Sequence, residues 1–535
     1  MTFNSDIAEK WVLVVDDMEG MRSQLRMSLS SSGFAKLHVV GSIKEALERM
    51  ATNRYDVILS DYSLGDGTDG QQFLEYLRSN NLIARNTIFV MITAEQAYEK
   101  VVSATQCAPD DYLLKPFTSA QFNARLEKLL EKQEYFSDID KASDSENWRK
   151  VIAECDKKLA LKDKYFIDLC RIKCSALMRA KRLQEAADLY REILALRPIA
   201  WAKLGLAKVL SMLDQKDEAR VIARELLKEN PQFLAAYDFL GELLSTAGEK
   251  QEALEVLQQA SAVSPGTMSR IREMSSLAVS VGKPELAETV MRQALQKHKY
   301  SPVRQANDYA VLSKALVDQG KTTEALTVVA DAQKSFNDEH STVILSATES
   351  VAHRAAGNHE KAEAALAKAM SIGDLSKLPA HTVVSLADAC FALGKEEDAT
   401  KLLHHAIQNN QEDEAVRSRV HESLISAGKD TSEATAMIDA STREVIQLNN
   451  DGVRKAEAGQ LEEAIALLSK AADRLSNNVQ IVGNASLVIA LDMVRNGVTP
   501  EKMSKCVHYR DALIRKEPNH PKLAQIDGLL KQIKQ

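Results

Sequence analysis

Five polar residues in the first quarter of the chain have the types and spacing that phosphoryl chemistry requires. Each follows a short apolar run of the sequence; they are Asp16, Asp17, Asp61, Thr93 and Lys115. Three carboxylates in one small pocket would repel one another unless a cation joined them, so a hard, oxygen-seeking ion such as Mg²⁺ is implied. Lys115 then suits an incoming phosphoryl group as counter-charge, and Thr93 suits it as hydrogen-bond donor.

Short apolar runs, separated by helix-like stretches, are the elements that must position these residues. The runs lie at 12–15, 38–41, 57–60, 88–92 and 112–114. Helical patterns occupy 42–51 and 70–79, and the segment 119–135 is expected to form the closing helix. This alternation predicts an α/β domain whose parallel five-stranded sheet carries helices on both faces. Since ligands bind beyond the carboxyl ends of the strands in such an open sheet, the five polar residues are expected to share one pocket.

Four motifs resemble those of the receiver domains of two-component response regulators, in particular the chemotaxis regulators. They read VLVVDD at 12–17, ILSDYSL at 58–64, VMITAE at 90–95 and YLLKPF at 112–117. The resemblance covers residues 9–135 and implies a flavodoxin-like, doubly wound fold. It also implies phosphorelay signalling, with a histidine kinase or a phosphotransfer protein as the phosphodonor.

The resemblance assigns a role to each residue of the expected pocket. Asp61 would be the phosphoacceptor. Asp17 and Asp61 would bind Mg²⁺ directly, Asp16 would act on the ion mainly through water, and the backbone carbonyl of Ser63 would be the third protein ligand. Lys115 would pair with the phosphoryl oxygens.

Two further positions would carry the conformational response. By resemblance, Thr93 and Tyr112 are the switch pair, in which Thr93 moves toward the phosphate and Tyr112 changes rotamer behind it. Pro116 follows Lys115, where the family usually has a cis peptide bond.

The loop after Asp61 departs from the family pattern. Residues 62–70 contain no proline, and the loop is one residue longer than usual. No chemical group is lost, so the ability to accept a phosphoryl group is expected to persist. The rigidity of the loop and the lifetime of the phosphoryl group are left open.

The remaining four hundred residues repeat a helical pattern. A Gly is followed five residues later by Ala, and a second Ala comes seven residues after the first. This register occurs six times, at Gly248/Ala253/Ala260, Gly282/Ala287/Ala294, Gly320/Ala325/Ala332, Gly357/Ala362/Ala369, Gly394/Ala399/Ala406 and Gly459/Ala464/Ala471. The Gly can end the first helix of a pair, and the two Ala lie on one stripe of the second helix, where they permit close approach.

The pattern resembles the tetratricopeptide repeat, whose period is about 34 residues. It predicts an all-α solenoid of about nine or ten units over residues 148–535, with the unit around Ala434 the least regular. The polar stretch 136–147 is the expected linker between the receiver and the repeats. A solenoid of this kind presents a groove that takes a peptide or a helix of a partner protein.

Charge and hydropathy narrow the function classes. The formal net charge is −7, and residues 1–135 account for most of it, with 14 Lys and Arg against 19 Asp and Glu. A nucleic-acid-binding output would need a basic patch or a helix-turn-helix, and neither is visible. Because no run approaches the ~18 apolar residues of a membrane helix, we expect a cytoplasmic protein without a membrane span.

The sequence therefore predicts a response regulator whose output is protein–protein interaction and not a separate enzyme domain. Phosphorylation of Asp61 would control the binding of an unidentified protein or peptide in the repeat groove, and homodimerisation is left open. One alternative is a constitutive scaffold, or a phosphate sink, whose receiver mainly docks a kinase. A regulator that binds nucleic acid is a more distant alternative.

Overall fold

Most of the chain is described by a computed structural model, which divides into the units Met1–Arg304 and Gln305–Gln535. The described residues are 7–64, 68–94, 108–265, 267–299, 303–371, 378–411, 413–517 and 520–534. Glu95 of the third motif and residues 65–67 of the loop after Asp61 lie outside them. Each unit is considered by itself.

The first unit begins with a parallel sheet, as the apolar runs predict. Its strands are β1 (Trp11–Val15), β2 (Lys36–Val40), β3 (Val57–Asp61), β4 (Ser63–Leu64), β5 (Thr68–Asp69), β6 (Ile88–Thr93) and β7 (Asp111–Leu114). Five of them form one parallel sheet in the order β2-β1-β3-β6-β7. The longer loop after Asp61 folds into the antiparallel hairpin β4–β5, which pairs Ser63 with Asp69.

Helices cover both faces of the sheet, as expected for a doubly wound fold. They are α1 (Glu19–Ser31), α2 (Ile43–Met50), α3 (Gly70–Ser79) and α4 (Ser119–Asp144). Leu25 of α1 and Phe122 of α4 pack in the cluster on one face, and Ala46 of α2 and Phe73 of α3 pack in the cluster on the other. The central strands are buried on both faces because helices lie on each side.

Helix α4 is longer than the sequence predicts. The sequence predicts that this helix ends at residue 135 and that a linker follows over 136–147, but the helix continues without interruption to Asp144. The physical reason is a buried stripe: Phe136 and Ile139 are at most 5 % exposed and lie three residues apart on one face of the helix. The segment therefore packs as a helix although its composition is polar.

Pairs of antiparallel helices follow α4 in both units. The first unit continues with α5 (Trp148–Leu159), α6 (Phe166–Arg179), α7 (Leu183–Leu196), α8 (Ala200–Met212), α9 (Lys216–Glu229), α10 (Leu234–Thr246), α11 (Lys250–Val263), α12 (Met268–Ser280) and α13 (Pro284–Lys297). The second unit contains α14 (Ala306–Asp318), α15 (Thr322–Ser335), α16 (Glu339–Ala355), α17 (His359–Ser371), α18 (Ala380–Ala392), α19 (Glu396–Asn409), α20 (Glu414–Ser426), α21 (Thr431–Glu457), α22 (Leu461–Arg474), α23 (Val479–Asn496), α24 (Pro500–Lys516) and α25 (Pro521–Lys534). Within each unit, consecutive helices pack against each other.

The Gly–Ala–Ala register has the structural role that its spacing predicts. The glycines that precede the second helices have φ between +73° and +87°; they are Gly248, Gly282, Gly320, Gly357, Gly394, Gly428 and Gly459. The alanines of the register are at most 6 % exposed. The unit around Ala434 is irregular because α21 supplies both its second helix and the first helix of the next pair.

Early repeats have a non-glycine residue at the turn where later repeats have glycine. A turn of each kind can therefore be tested by the opposite substitution. Lys181 adopts φ +57° where later units have glycine, and Gly248 adopts φ +82° with nothing within 4 Å of an added Cβ. Left-handed backbone costs an L-residue about 1–2 kcal/mol, so Gly248→Ala is expected to destabilise its repeats by about 1 kcal/mol. Lys181→Gly should stabilise its repeats by about 0.5–1 kcal/mol, since relief of strain outweighs the entropy of a freer unfolded chain. Amide hydrogen exchange of α6–α7 and α10–α11 measures both changes, and a loss of protection in both variants would contradict the prediction.

Candidate functional site

The carboxyl ends of β1 and β3 bring three carboxylates together. Asp16 and Asp17 follow β1, Asp61 ends β3, and these two strands are neighbours in the sheet. The three side chains each offer one carboxylate oxygen, and these oxygens lie within 4.8 Å of one another. Asp16 and Asp61 are buried, whereas Asp17 is exposed. The predicted pocket is thus assembled from neighbouring strand ends.

Lys115 joins the two buried carboxylates. Its Nζ lies 3.3 Å from Asp16 Oδ2 and 3.1 Å from Asp61 Oδ1. The backbone holds it there: the Lys115 N–H donates to the Thr93 carbonyl at 2.7 Å, and the Lys115–Pro116 peptide bond is cis. One ammonium group therefore faces two carboxylates and cannot neutralise the pocket by itself.

Burial is the main influence on Asp61. It raises the pKa of the Asp61 carboxyl above its ordinary value, and the Asp16 carboxylate adds to the increase. The Lys115 ammonium and the Tyr62 N–H, which donates to Asp61 Oδ1 at 2.9 Å, act against this rise in pKa. The charged form of Asp61 is thus under-stabilised, and a hard cation beside the three carboxylates would stabilise it. The donor set suits Mg²⁺, which prefers oxygen ligands.

Two residues that the sequence reasoning did not single out shape the pocket. Arg22 Nη1 donates to the carbonyls of Asp16 and Asp17, each at 2.8 Å, and so fixes the loop that carries both carboxylates. Gly70 begins α3 so close to β3 that an added Cβ would lie 2.4 Å from the Asp61 carbonyl oxygen. The role of Arg22 could have been predicted from its position one helical turn after the two aspartates. The requirement for glycine at position 70 could not, because it arises from the close packing of α3 on β3.

The two expected switch residues lie on neighbouring strands. Thr93 ends β6 and is 2 % exposed, and Tyr112 on β7 pairs with Met91. Tyr112 belongs to the same buried cluster as Phe73 of α3. Ser63, the expected carbonyl ligand, begins the hairpin two residues after Asp61.

A comparison with protein families and curated proteins agrees with this geometry. Residues 12–127 match the family model described as the response regulator receiver domain. Residues 12–127 form a receiver domain. The chemotaxis protein CheY-3 of Vibrio cholerae serotype O1 is 28 % identical over 121 residues, which are 23 % of this chain and 92 % of that protein. The receiver domain thus accounts for the first quarter of the chain.

Solved structures similar to the chain include tetratricopeptide repeat proteins. One from Parabacteroides merdae has 13 % sequence identity and a TM-score of 0.37, and the match covers 48 % of this chain and 98 % of that one. YrrB, described as a TPR protein with an unusual peptide-binding site, has 18 % identity and a TM-score of 0.30, with coverage of 34 % and 92 %. The helix pairs and the turn glycines described above form a TPR-like helical region after the receiver domain.

The chain combines a receiver domain with a long region of paired helices. Beyond the receiver domain, the described part of the chain consists of helix pairs and contains no evident catalytic output domain. Among the described helices, none has the length and hydropathy of a membrane span.

Proposed function

We propose that the chain is a phosphorylation-controlled response regulator whose output is protein–protein interaction through the repeats. The observation that carries the proposal is the placement of Lys115 Nζ 3.1 Å from Asp61 Oδ1 and 3.3 Å from Asp16 Oδ2. This arrangement provides a nucleophilic carboxylate, a neighbouring cation and further carboxylates for a metal ion in one pocket. It is the constellation that phosphoryl transfer needs, because that reaction depends on positioning and charge stabilisation.

The metal would be Mg²⁺ held by the acidic pocket. Asp17 and Asp61 would bind it directly, Asp16 would act mainly through water, and the Ser63 carbonyl would complete the protein ligands. When bound, the ion neutralises charge on the phosphoryl oxygens. Lys115 pairs with the same oxygens, and Arg22 keeps the loop of Asp16 and Asp17 in place through its two 2.8 Å hydrogen bonds.

The phosphodonor would be the phosphohistidine of a histidine kinase or a phosphotransfer protein. A carboxylate oxygen of Asp61 forms the new O–P bond while the P–N bond of the donor breaks. The electron pair of the broken bond stays on the imidazole nitrogen. Thr93, 2 % exposed at the end of β6, donates a hydrogen bond to the phosphoryl group, and Tyr112 changes rotamer behind it. The equilibrium between two conformations of the receiver is thereby shifted.

The output would be the capture of a protein or peptide by the repeats. We assign the receiver to residues 9–135 and the repeats to 148–535, with the end of α4 packed as a helix between them. Solenoids of stacked helix pairs present extended concave surfaces, and such surfaces can bind an extended peptide or a helix of a partner. Phosphorylation at Asp61 would change the access of such a partner to the repeats.

The test is transfer of label from a small phosphodonor such as acetyl phosphate in the presence of Mg²⁺. The wild-type chain should gain about one phosphoryl group, whereas Asp61→Asn should gain none because the amide cannot form the acyl phosphate. Asp138→Asn is a matched control, since Asp138 is an exposed aspartate on α4. Equal labelling of the wild type and Asp61→Asn would refute the proposal, and so would the absence of label from both.

A second measurement separates a switch from a constitutive scaffold or phosphate sink. Amide hydrogen exchange of the repeat helices is compared with and without phosphodonor. In a switch, exchange should change in the wild type and stay constant in Asp61→Asn. Labelled Asp61 with unaltered exchange throughout the repeats would identify the chain as a scaffold or a sink.

A further inference from the structure

Helix α3 of the receiver is buried on all sides at its beginning. Gln71 and Gln72 are each 8 % exposed, and the next two residues, Phe73 and Leu74, are fully buried. Because successive residues of a helix point about 100° apart, four buried neighbours cover nearly the whole circumference. Phe73 and Leu74 pack on the sheet, so the two glutamines must be covered from another direction.

Helix α2, which packs on the same face of the sheet, shows the contrast. Its polar residues Lys44, Glu45, Glu48 and Arg49 are exposed, while Ala46 is buried. This is the ordinary pattern of a receiver helix with one face in water. The polar side of α3 is therefore covered, whereas that of α2 is exposed.

The repeats of the first unit supply the charged groups around α3. Glu75 accepts a hydrogen bond from Gln71 Nε2 at 3.2 Å, and the charges of Arg270 and Asp238 both act on its carboxyl. Arg270, on α12, is 4 % exposed and donates to both carboxylate oxygens of Asp238 on α10, at 2.7 and 3.0 Å. Its third donor group reaches the Ser264 carbonyl at 3.2 Å.

A second pair of repeat residues acts at the start of α3. Burial raises the pKa of Asp69, the N-cap of α3, and the charges of Lys297 and His298 at the end of α13 act against this rise. His298 is 1 % exposed. Charged groups of α10, α12 and α13 thus act on the polar side of α3, where Gln71 and Gln72 are buried.

We infer that the face of the repeats formed by Asp238, Arg270 and Lys297 is a helix-docking surface, and that its resident ligand is helix α3 of the same chain. The partner chemistry is that of an amphipathic helix with a carboxamide and a carboxylate four residues apart, as in Gln71 and Glu75. An external helix of this kind can occupy the surface only when α3 leaves it. The inference concerns the resting chain and does not depend on phosphoryl transfer.

The docked helix is also in direct contact with the acidic pocket. Gly70, its first residue, donates its N–H to the Tyr62 carbonyl at 2.7 Å, and it lies against the backbone of Asp61. Release of α3 from the repeats is therefore mechanically linked to the strand end that carries Asp61. Helix α3 therefore contacts the acidic pocket at its first residue and the docking surface along its polar side.

Amide hydrogen exchange of the full-length chain, without phosphodonor, tests the docking. Glu75→Arg places a cation beside Arg270, and it should accelerate exchange in both α3 and α12 by at least about tenfold. Glu48→Arg on the exposed face of α2 is the matched control and should leave α12 unchanged. Retained protection of β3 and β6 shows that the receiver is still folded. Unchanged exchange of α12 in Glu75→Arg would overturn the inference.

A second test changes the pH instead of introducing a charge reversal, so it does not depend on whether Glu75→Arg folds. Burial raises the pKa of the Glu75 carboxyl in the docked state; Asp69 and Asp238 add to this, while Gln71 and Arg270 oppose it. A docked state that binds the proton more tightly is favoured at low pH, and docking weakens as pH rises through the raised pKa. Protection of α12, corrected for intrinsic exchange, should therefore fall as pH rises in the wild type and fall less in Glu75→Gln. Glu273 of α12, whose pKa burial and the charges of Glu242 and Asp238 raise to about 7, contributes to the pH dependence in both proteins, so the difference between them reports Glu75. The same slope in both proteins would contradict docking through Glu75.

Discussion

Replacement of Gly70 by alanine is expected to destabilise the receiver by about 2–3 kcal/mol, as overpacking of a tight site does. The added Cβ would lie 2.4 Å from the Asp61 carbonyl oxygen and 2.7 Å from Met91 Sδ. Because one of these neighbours is backbone, the conflict is relieved only when β3 or the start of α3 moves. Either movement displaces Asp61, so the rate of labelling by phosphodonor should fall by about 10- to 100-fold.

Gly20 provides the matched control for this substitution. It lies in the first turn of α1, as Gly70 does in α3, but an added Cβ would meet nothing within 4 Å. Gly20→Ala should therefore leave labelling unchanged and increase helix stability by up to about 1 kcal/mol. Hydrogen exchange of β1 and β3 measures both stabilities. Equal effects of the two alanines would show that the close approach at Gly70 is not the cause.

Lys115→Met is expected to have the second large effect. The substitution removes the ammonium shared by Asp16 and Asp61, whose side chains are 0 % and 9 % exposed. Removal of one partner from a buried ionic group costs about 3–5 kcal/mol, because the remaining charge is left uncompensated. Protonation of Asp61, whose pKa burial already raises, limits the loss, so we expect about 3 kcal/mol at pH 8 and less at pH 5.

Addition of Mg²⁺ tests whether this loss of stability is caused by uncompensated negative charge in the pocket. A divalent cation among the three carboxylates should restore much of the protection of β1 and β3 in Lys115→Met. The gain should exceed that in the wild type, where the ammonium already offsets part of the charge. Lys44→Met, at an exposed position on α2, should change neither the protection nor its response to Mg²⁺. If Mg²⁺ protects Lys115→Met no more than the wild type, electrostatic compensation in the pocket is refuted.

The pocket could be predicted from sequence because strand ends determine it. Asp16, Asp61, Thr93 and Lys115 each follow an apolar run, and a parallel sheet brings the carboxyl ends of its strands to one edge. The strand boundaries differ from the apolar runs by only one or two residues. The turn glycines were equally accessible, because a recurring Gly at fixed spacing indicates a backbone conformation that other residues adopt at a cost.

Other features depend on tertiary contacts that composition does not show. The segment 136–147 is polar enough to suggest a linker, yet Phe136 and Ile139 bury one stripe against the first repeat helices. Helix α21 spans two repeat units because no Gly or Pro interrupts it between Thr431 and Gly452. In the sequence, Gln71 and Glu75 resemble the solvent-exposed face of an amphipathic helix. In the structure this face is buried.

The continuity of helix α4 limits which insertions and deletions between the receiver and the first helix pair preserve their relative orientation. An α-helix turns about 100° and rises about 1.5 Å with each residue. One residue added between Phe136 and Asp144 would therefore rotate the first helix pair by more than a quarter turn relative to the receiver. Seven added residues would nearly restore the angle while moving the first helix pair by about 10 Å. Insertions and deletions in this stretch are thus compatible with the same angular orientation only in steps of whole helical turns.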